Sequence, residues 1–101
     1  MDKTFNGFAD FYPFYLEEHS NRLNRRMHFL GYAAALLLLA GALFTHRLWL
    51  LAAALVAGYA ASWIGHYYFQ RNRPAAFGHP LYSSWAGVVM FKDMITGRIT
   101  F

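Results

Sequence analysis

The 101-residue sequence contains no cysteine, and only 14% of its residues are charged. Without cysteine the chain cannot form a disulfide, an iron–sulfur cluster or a thiolate zinc site. A soluble domain typically carries about 25% charged residues. Hydrophobic residues make up 57% of the chain, which is more than a domain of this size can easily bury in one core. The composition therefore predicts a membrane protein and argues against a disulfide-rich secreted domain, a disordered tail or an ordinary soluble enzyme.

Acidic residues are scarce as well. Five Asp and Glu stand against nine Lys and Arg, so the net charge is +4 with neutral histidine. This excess is typical of cytoplasmic flanks of membrane spans, and it could also attract anionic lipid or a carboxylate substrate. Because the charge is modest and the sequence between the basic clusters is apolar, we predict no nucleic-acid partner. The sequence also lacks a glycine-rich phosphate loop, an HExxH motif and a nucleophile elbow.

Two uncharged apolar runs, 29–44 and 48–65, dominate the sequence. A helix needs roughly 20 residues to cross the hydrocarbon core of a bilayer, so we predict spans at 29–46 and 48–66. The very short connection between them predicts a transmembrane helical hairpin. The alternative is a pair of core helices in a soluble bundle, which is disfavoured because such helices need a polar face.

Basic residues predict the orientation of this hairpin. Five arginines flank its open end, and a single one lies in the connecting loop: Arg22, Arg25, Arg26, Arg71 and Arg73 against Arg47. The positive-inside rule then places both termini in the cytoplasm. A chain of this form would fit a bacterial inner membrane.

The remaining segments are predicted to lie at the membrane surface. Residues 1–28 carry an aromatic cluster and, from Pro13 onward, an amphipathic helix that could run into the first span. Residues 67–101 are predicted to form a loop followed by a short helix from Trp85 to Thr96, capped by Ser84. The predicted fold class is therefore an all-α membrane protein in one domain, 1–101. It consists of a transmembrane hairpin with an N-terminal amphipathic helix and a short C-terminal interfacial helix.

Four of the five histidines fall on the predicted cytoplasmic side: His19, His28, His66 and His79. The hairpin brings His28 and His66 to the same depth, and each ends a stripe of small residues of the kind that lets membrane helices approach closely. His19 and His28 are nine residues apart, which places them on opposite faces of one continuous helix. If both bind one metal, either the helix breaks between them or two chains share the site.

Clustered imidazoles without cysteine suit Fe, Zn, Cu or Ni. Asn24, Gln70 and Asn72 could hydrogen-bond to the rings. Other readings stay open, because a histidine at a membrane interface is often only an amphipathic anchor. The chain could bind haem through His28 and His66, or it could be a non-catalytic membrane scaffold.

Two segments resemble a known family: FYPFYLEEHSNRLNRRMHFLG (11–31) and WIGHYYFQRNRPAAFGHPLY (63–82). The family consists of small membrane proteins whose characterised fungal members are iron-dependent 2-hydroxy fatty acid dioxygenases of fatty acid α-oxidation. The resemblance covers nearly the whole chain. The family's histidines fall on His19, His28 and His66, with His79 present in part of the family. Asn24, Arg73 and Pro74 match further marked positions, whereas Gln70 stands where the family usually has Glu.

The resemblance implies a non-haem Fe(II) oxygenase that uses O₂ to shorten a 2-hydroxy fatty acid by one carbon. It implies four metal ligands, His19, His28, His66 and His79, with Asn24 and Gln70 as catalytic residues. The substrate carboxylate is expected to pair with an arginine, first Arg73 and otherwise Arg71 or Arg25, because a guanidinium matches two oxygens. The acyl chain is expected to lie along the hairpin in membrane lipid. Since two spans form only a narrow groove, we also expect a homo-oligomer.

Overall fold

The computed structural model describes residues 5–101, and within that range the chain is helical, with no strand. The elements in chain order are α1 (Phe8–Glu17), α2 (Arg22–Thr45), α3 (Trp49–Ile64), a π-helix (Gly65–Gln70), a short 3₁₀-helix (Ala75–Phe77) and α4 (Pro80–Ile95). The all-helical prediction is therefore confirmed for the described residues.

A break separates α1 from α2, so the N-terminal helix does not run on into the first span, and the chain takes the first of the two alternatives left open for His19 and His28. The backbone of Asn21 is extended (φ −74°, ψ 125°), and its side chain accepts hydrogen bonds from the backbone N–H groups of Leu23 and Asn24. An asparagine that satisfies the first free N–H groups of a helix defines a new helix start. Helix α2 therefore begins at Arg22, well before the predicted span 29–46.

Helices α2 and α3 pack against each other in opposite directions. Near the start of α2, a Cβ built on Gly31 would lie 2.9 Å from the Cβ of Ala61 and 3.2 Å from the carbonyl oxygen of Gly58. At the other end of α2, Gly41 faces Leu50. Small residues thus bring the two helix backbones close together.

By length and composition, two helices could cross a membrane: Arg22–Thr45 and Trp49–Gln70. Their outer faces carry large apolar side chains that the protein leaves uncovered, such as Leu37, which is 74% exposed. The second of these helices extends past the predicted end at 66 because the chain continues as a π-helix to Gln70.

Helices α1 and α4 enclose a small apolar core beside the α2–α3 pair. Its buried members are Phe11, Tyr15, Ala86, Met90 and Met94. The hydroxyl of Tyr12 ties the two helices together by donating to a carboxylate oxygen of Asp93 over 2.8 Å, and burial together with this bond raises the pKa of Tyr12 above its ordinary value.

Helix α4 is longer than the predicted helix from Trp85 to Thr96. It begins at Pro80 and ends at Ile95. Proline suits the first position of a helix because its missing N–H would have no partner there. Ser84, which the sequence suggested as the cap, lies inside the helix and donates its hydroxyl to the carbonyl oxygen of Pro80.

Candidate metal centre

Three histidines from separate segments meet in the interior of the protein. His19 lies in the break between α1 and α2, His28 lies in α2, and His66 is the second residue of the π-helix. All three are buried, with at most 4% of each side chain exposed. Their ring centroids are 4.4 Å (His19–His28), 4.5 Å (His19–His66) and 4.8 Å (His28–His66) apart. The structure thus brings together three of the four predicted histidine ligands.

The break in the chain explains how His19 and His28 reach the same point. On one continuous helix they would project from opposite faces. Because the helix ends at Glu17 and restarts at Arg22, the chain turns between them and the two Nε2 atoms lie 3.2 Å apart. All three histidines belong to one chain, so the geometry does not require a second chain to complete the group.

Each imidazole is oriented by a hydrogen bond at its other nitrogen. His19 Nδ1 lies 2.6 Å from the carbonyl oxygen of Tyr15, and His28 Nδ1 lies 2.9 Å from that of Asn24. His66 Nδ1 lies 2.7 Å from the side-chain oxygen of Asn72. These oxygens can only accept, so each Nδ1 must donate its proton. Each neutral ring therefore keeps the lone pair on Nε2, the form that binds metals.

The converging lone pairs fit a divalent transition-metal ion. With both Nδ1 atoms protonated, the 3.2 Å contact between the Nε2 atoms of His19 and His28 sets two lone pairs against each other. Two nitrogens bound to one ion at about 2.1 Å lie about 3.0 Å apart at a right angle and about 3.4 Å apart at the tetrahedral angle. One ligand nitrogen from each of the three rings lies within 4.8 Å of the others. Bringing all three onto one ion requires the widest pair to close by at most about 1.4 Å to reach the tetrahedral separation.

Electrostatics also favour the metal-binding form at His19. Burial lowers the pKa of His19 well below its ordinary value of 6.5, and the neighbouring His28 and His66 lower it further. The ring therefore stays neutral near pH 7, and neutral imidazole is the ligand form. Among residues 5–101, no carboxylate belongs to the histidine group.

Asn24 and Gln70 support the group from outside. The carbonyl of Asn24 holds His28, and its side-chain amide donates to the Gln70 oxygen over 3.2 Å. The same Gln70 oxygen accepts from the backbone N–H of Asn21 over 2.8 Å, while the Gln70 amide nitrogen donates to Ser20. Gln70 therefore fastens the His19-bearing break to the π-helix.

The other predicted site residues lie apart from the three histidines. His79 is outside the group, and its ring packs against Phe5 and Phe11 with centroids 5.1 and 5.4 Å away. This placement follows from α4 beginning at Pro80, because the preceding residue is thereby turned toward α1.

The three predicted carboxylate-binding arginines are also spread out. Arg73 is exposed and lies over the ring of Phe77 at 5.2 Å. Arg71 is exposed and has a left-handed backbone, φ 59°. Arg25 donates to the carbonyl oxygens of His19 and Ser20 over 3.1 and 2.9 Å, so it holds the break between α1 and α2.

A cavity of about 220 Å³ adjoins the histidines. Histidines 19, 28 and 66 line one part of it, and Ala35, Ala54 and Gly58 line the groove between α2 and α3. Three larger residues of α3 also border it and are substantially exposed on the apolar surface: Leu55, Tyr59 and Trp63. The cavity therefore connects the histidine group with the outer apolar face of the helix pair. None of the three arginines borders it.

Tyr15 is a site residue that the sequence reasoning did not single out. Besides accepting from His19 through its carbonyl, it stacks its ring on the imidazole with centroids 4.0 Å apart. The four-residue spacing of Tyr15 and His19 was a usable signal, because residues at i and i+4 lie on the same helical face.

Comparison with known proteins identifies the family of the chain. Residues 5–99 match the model of one family, described as 2-hydroxy-palmitic acid dioxygenase Mpo1-like. The chain belongs to the Mpo1-like family. The family resemblance inferred from sequence is thereby confirmed, and the Mpo1-like match includes all three clustered histidines. Neither the curated proteins nor the solved structures gave a match.

Proposed function

We propose that this Mpo1-like protein is a membrane-embedded, non-haem Fe(II) dioxygenase that shortens 2-hydroxy fatty acids by one carbon. The observation that carries the proposal is the convergence of three buried, Nδ1-bonded imidazoles beside a cavity that leads to an apolar surface. The family description supports the substrate class. The donor set supports iron among other metals, because imidazole suits Fe as well as Zn, Cu and Ni.

In this proposal His19, His28 and His66 hold Fe(II), which supplies O₂ activation and Lewis-acid polarisation of the substrate when bound. The protein contributes ligand orientation: the oxygens of Tyr15, Asn24 and Asn72 direct each Nε2 inward. Such hydrogen bonds to the second ring nitrogen also make the ligands more basic. With only His19, His28 and His66 as its protein ligands, a bound ion would also be able to take up the substrate.

The cavity supports a substrate position with the polar end of the fatty acid at the histidines. A cavity of roughly 150 Å³ holds a benzene molecule, so 220 Å³ takes the carboxyl and hydroxyl carbons and a few methylenes of a fatty acid. The rest of the acyl chain leaves past Leu55 and Tyr59, whose side chains are 64% and 51% exposed. The exposed apolar rim supports entry of the substrate from lipid.

We further propose that α2 and the helix Trp49–Gln70 form a transmembrane hairpin in a bacterial inner membrane, with both termini in the cytoplasm. The length and apolar composition of the two helices support it. Homo-oligomerisation remains a prediction, which crosslinking in membranes can test.

Haem binding through His28 and His66 is not favoured by this geometry. Two imidazoles bound at about 2 Å on opposite faces of one porphyrin have their ring centres about 6 Å apart. The centroids of His28 and His66 are 4.8 Å apart with the rings nearly perpendicular, and His19 lies within 4.5 Å of both. A porphyrin plane therefore does not fit between these two rings.

Elemental analysis of anaerobically purified protein, coupled to an oxygen-consumption assay with 2-hydroxyhexadecanoate, tests the proposal. Wild type is expected to retain iron and consume O₂, whereas His28→Ala and His66→Ala are expected to lose both. His46→Ala is the matched control, because His46 is exposed in the loop between α2 and α3. The variant His79→Ala decides whether a fourth histidine is needed. Unchanged iron stoichiometry in both site variants would refute the metal assignment.

A further inference from the structure

Asn72 contacts two of the three histidine-bearing segments at once. Its side-chain oxygen accepts from His66 Nδ1 over 2.7 Å, and its side-chain nitrogen donates to the carbonyl oxygen of Glu18 over 3.0 Å. Its backbone N–H also donates to the carbonyl oxygen of His66 over 3.1 Å. Glu18 directly precedes His19, so one amide side chain joins the His19 break to His66.

We propose that Asn72 is the positioning residue of the metal centre, setting the tautomer of His66 and holding His19 opposite it. This inference rests on the metal-binding part of the proposed function. It gives a role to Asn72, which is neither a predicted metal ligand nor a predicted catalytic residue.

His66 differs from the other two histidines in how its tautomer is set. His19 and His28 each donate to the backbone carbonyl four residues earlier in the chain, and a side-chain substitution cannot remove a carbonyl. His66 donates to a side chain instead. Only at His66, therefore, does the choice of which ring nitrogen carries the proton depend on a replaceable group.

The Glu18 carbonyl determines which way the Asn72 amide points. A carbonyl oxygen can only accept, so the NH₂ group must face Glu18 and the oxygen must face His66. The oxygen then requires a proton on Nδ1 and leaves the Nε2 lone pair free. An apolar residue at position 72 removes this preference together with the link to Glu18.

The backbone around Asn72 is shaped for this contact. The π-helix ends at Gln70, and the next residue, Arg71, takes a left-handed conformation with φ 59° and ψ 46°. Non-glycine residues seldom adopt this conformation. Here it reverses the chain so that Asn72 folds back onto His66. π-Helical turns are common at functional sites.

Nitrogen-15 NMR of the imidazole ring of His66, in metal-free protein at pH 8, tests the inference directly. Wild type is expected to show the Nδ1-protonated form. Asn72→Leu is expected to shift His66 toward the Nε2-protonated form and to weaken binding of Co(II), used as the probe ion, by about 10- to 100-fold. Asn72→Asp keeps an acceptor for Nδ1 and is expected to keep the wild-type tautomer.

Gln70→Leu is the matched control. It removes an amide of similar size from the same segment, but one that bonds to Ser20, Asn21 and Asn24 and not to His66. The His66 tautomer is expected to stay unchanged in this variant. A shift as large as that in Asn72→Leu would show a general loosening of the segment and overturn the assignment.

An Nδ1-protonated His66 in Asn72→Leu, with unchanged Co(II) affinity, would also overturn the inference. The tautomer measurement needs neither metal nor substrate. It therefore decides on Asn72 even if the oxygen-consumption assay refutes the proposed function.

Discussion

Gly65, the first residue of the π-helix, allows the close approach that aligns His28 with His66. A Cβ built on Gly65 would overlap the side-chain oxygen of Asn24 and would lie 3.2 Å from both the Cγ and the backbone oxygen of that residue. That backbone oxygen is the acceptor for His28 Nδ1. The substitution Gly65→Ala would therefore displace the Asn24 atoms that orient His28. Gly65 also directly precedes His66.

The expected cost can be worked from these contacts. Overpacking a close contact destabilises by about 1–3 kcal/mol. The overlapping amide must also leave its place and lose its 3.2 Å bond to Gln70, which adds about 1 kcal/mol. We expect Gly65→Ala to lower the unfolding free energy by about 2–4 kcal/mol in total and to weaken metal binding.

Gly58→Ala is the matched control in the same apolar helix. The added Cβ would meet only the Cβ of Ala35, at 3.9 Å, which is an ordinary contact. Because alanine forms helices better than glycine, this variant is expected to be as stable as wild type or up to about 1 kcal/mol more stable. Denaturant unfolding in detergent, with Co(II) titration of the folded protein, measures both effects. Equal stability and equal Co(II) affinity for Gly65→Ala and wild type would refute the reasoning.

Two further predictions concern neighbouring groups. Arg71→Gly removes the steric strain of a left-handed backbone (φ 59°) and is expected to raise stability by up to about 1 kcal/mol. Arg71→Val is expected to lower stability. Identical melting temperatures for the two variants would contradict this. In metal-free protein, the His19 ring alone is expected to lower stability by up to about 1.4 kcal/mol per pH unit as the pH drops below about 6.5. The reason is that burial lowers the pKa of His19 in the folded state, so only the unfolded chain takes up this proton. His19→Gln should therefore make the pH dependence of stability shallower by that amount in urea titrations across pH. An unchanged slope would argue against it.

The sequence was sufficient to predict that His28 and His66 would meet. Two apolar helices joined by a very short loop run in opposite directions, so the end of the second lies beside the start of the first. Small residues such as Gly31 and Gly58 indicate which helix faces are in contact. These are local patterns with a direct geometric consequence. They also sufficed for the all-helical fold.

The path of His19 was not predictable, because two local signals competed. The apolar spacing favours a helix running from α1 into α2, whereas Asn21 favours a new helix start. The new helix start at Asn21 is favoured in the folded protein because Gln70 and Asn72, which are distant in sequence, hydrogen-bond to the backbone of the break. The spacing of apolar residues along the sequence does not predict such tertiary contacts.

The start of α4 at Pro80 differs from the predicted start at Trp85 because two local signals again compete. Proline favours a loop, but it is equally suited to the first turn of a helix. Moving the start to Pro80 carries His79 toward α1 and away from the other histidines. The position of one helix end thus separates a fourth histidine from the group.

The break that carries His19 is joined to α2 and to the π-helix through polar contacts made by Arg25, Gln70 and Asn72, and a bound ion would add to them. An ion bound by His19, His28 and His66 would cross-link this break to the α2–α3 pair. It would contribute about 4 kcal/mol to stability when its free concentration is a thousand times its dissociation constant. Chelation should then make the segment around His19 the first point of attack for a protease.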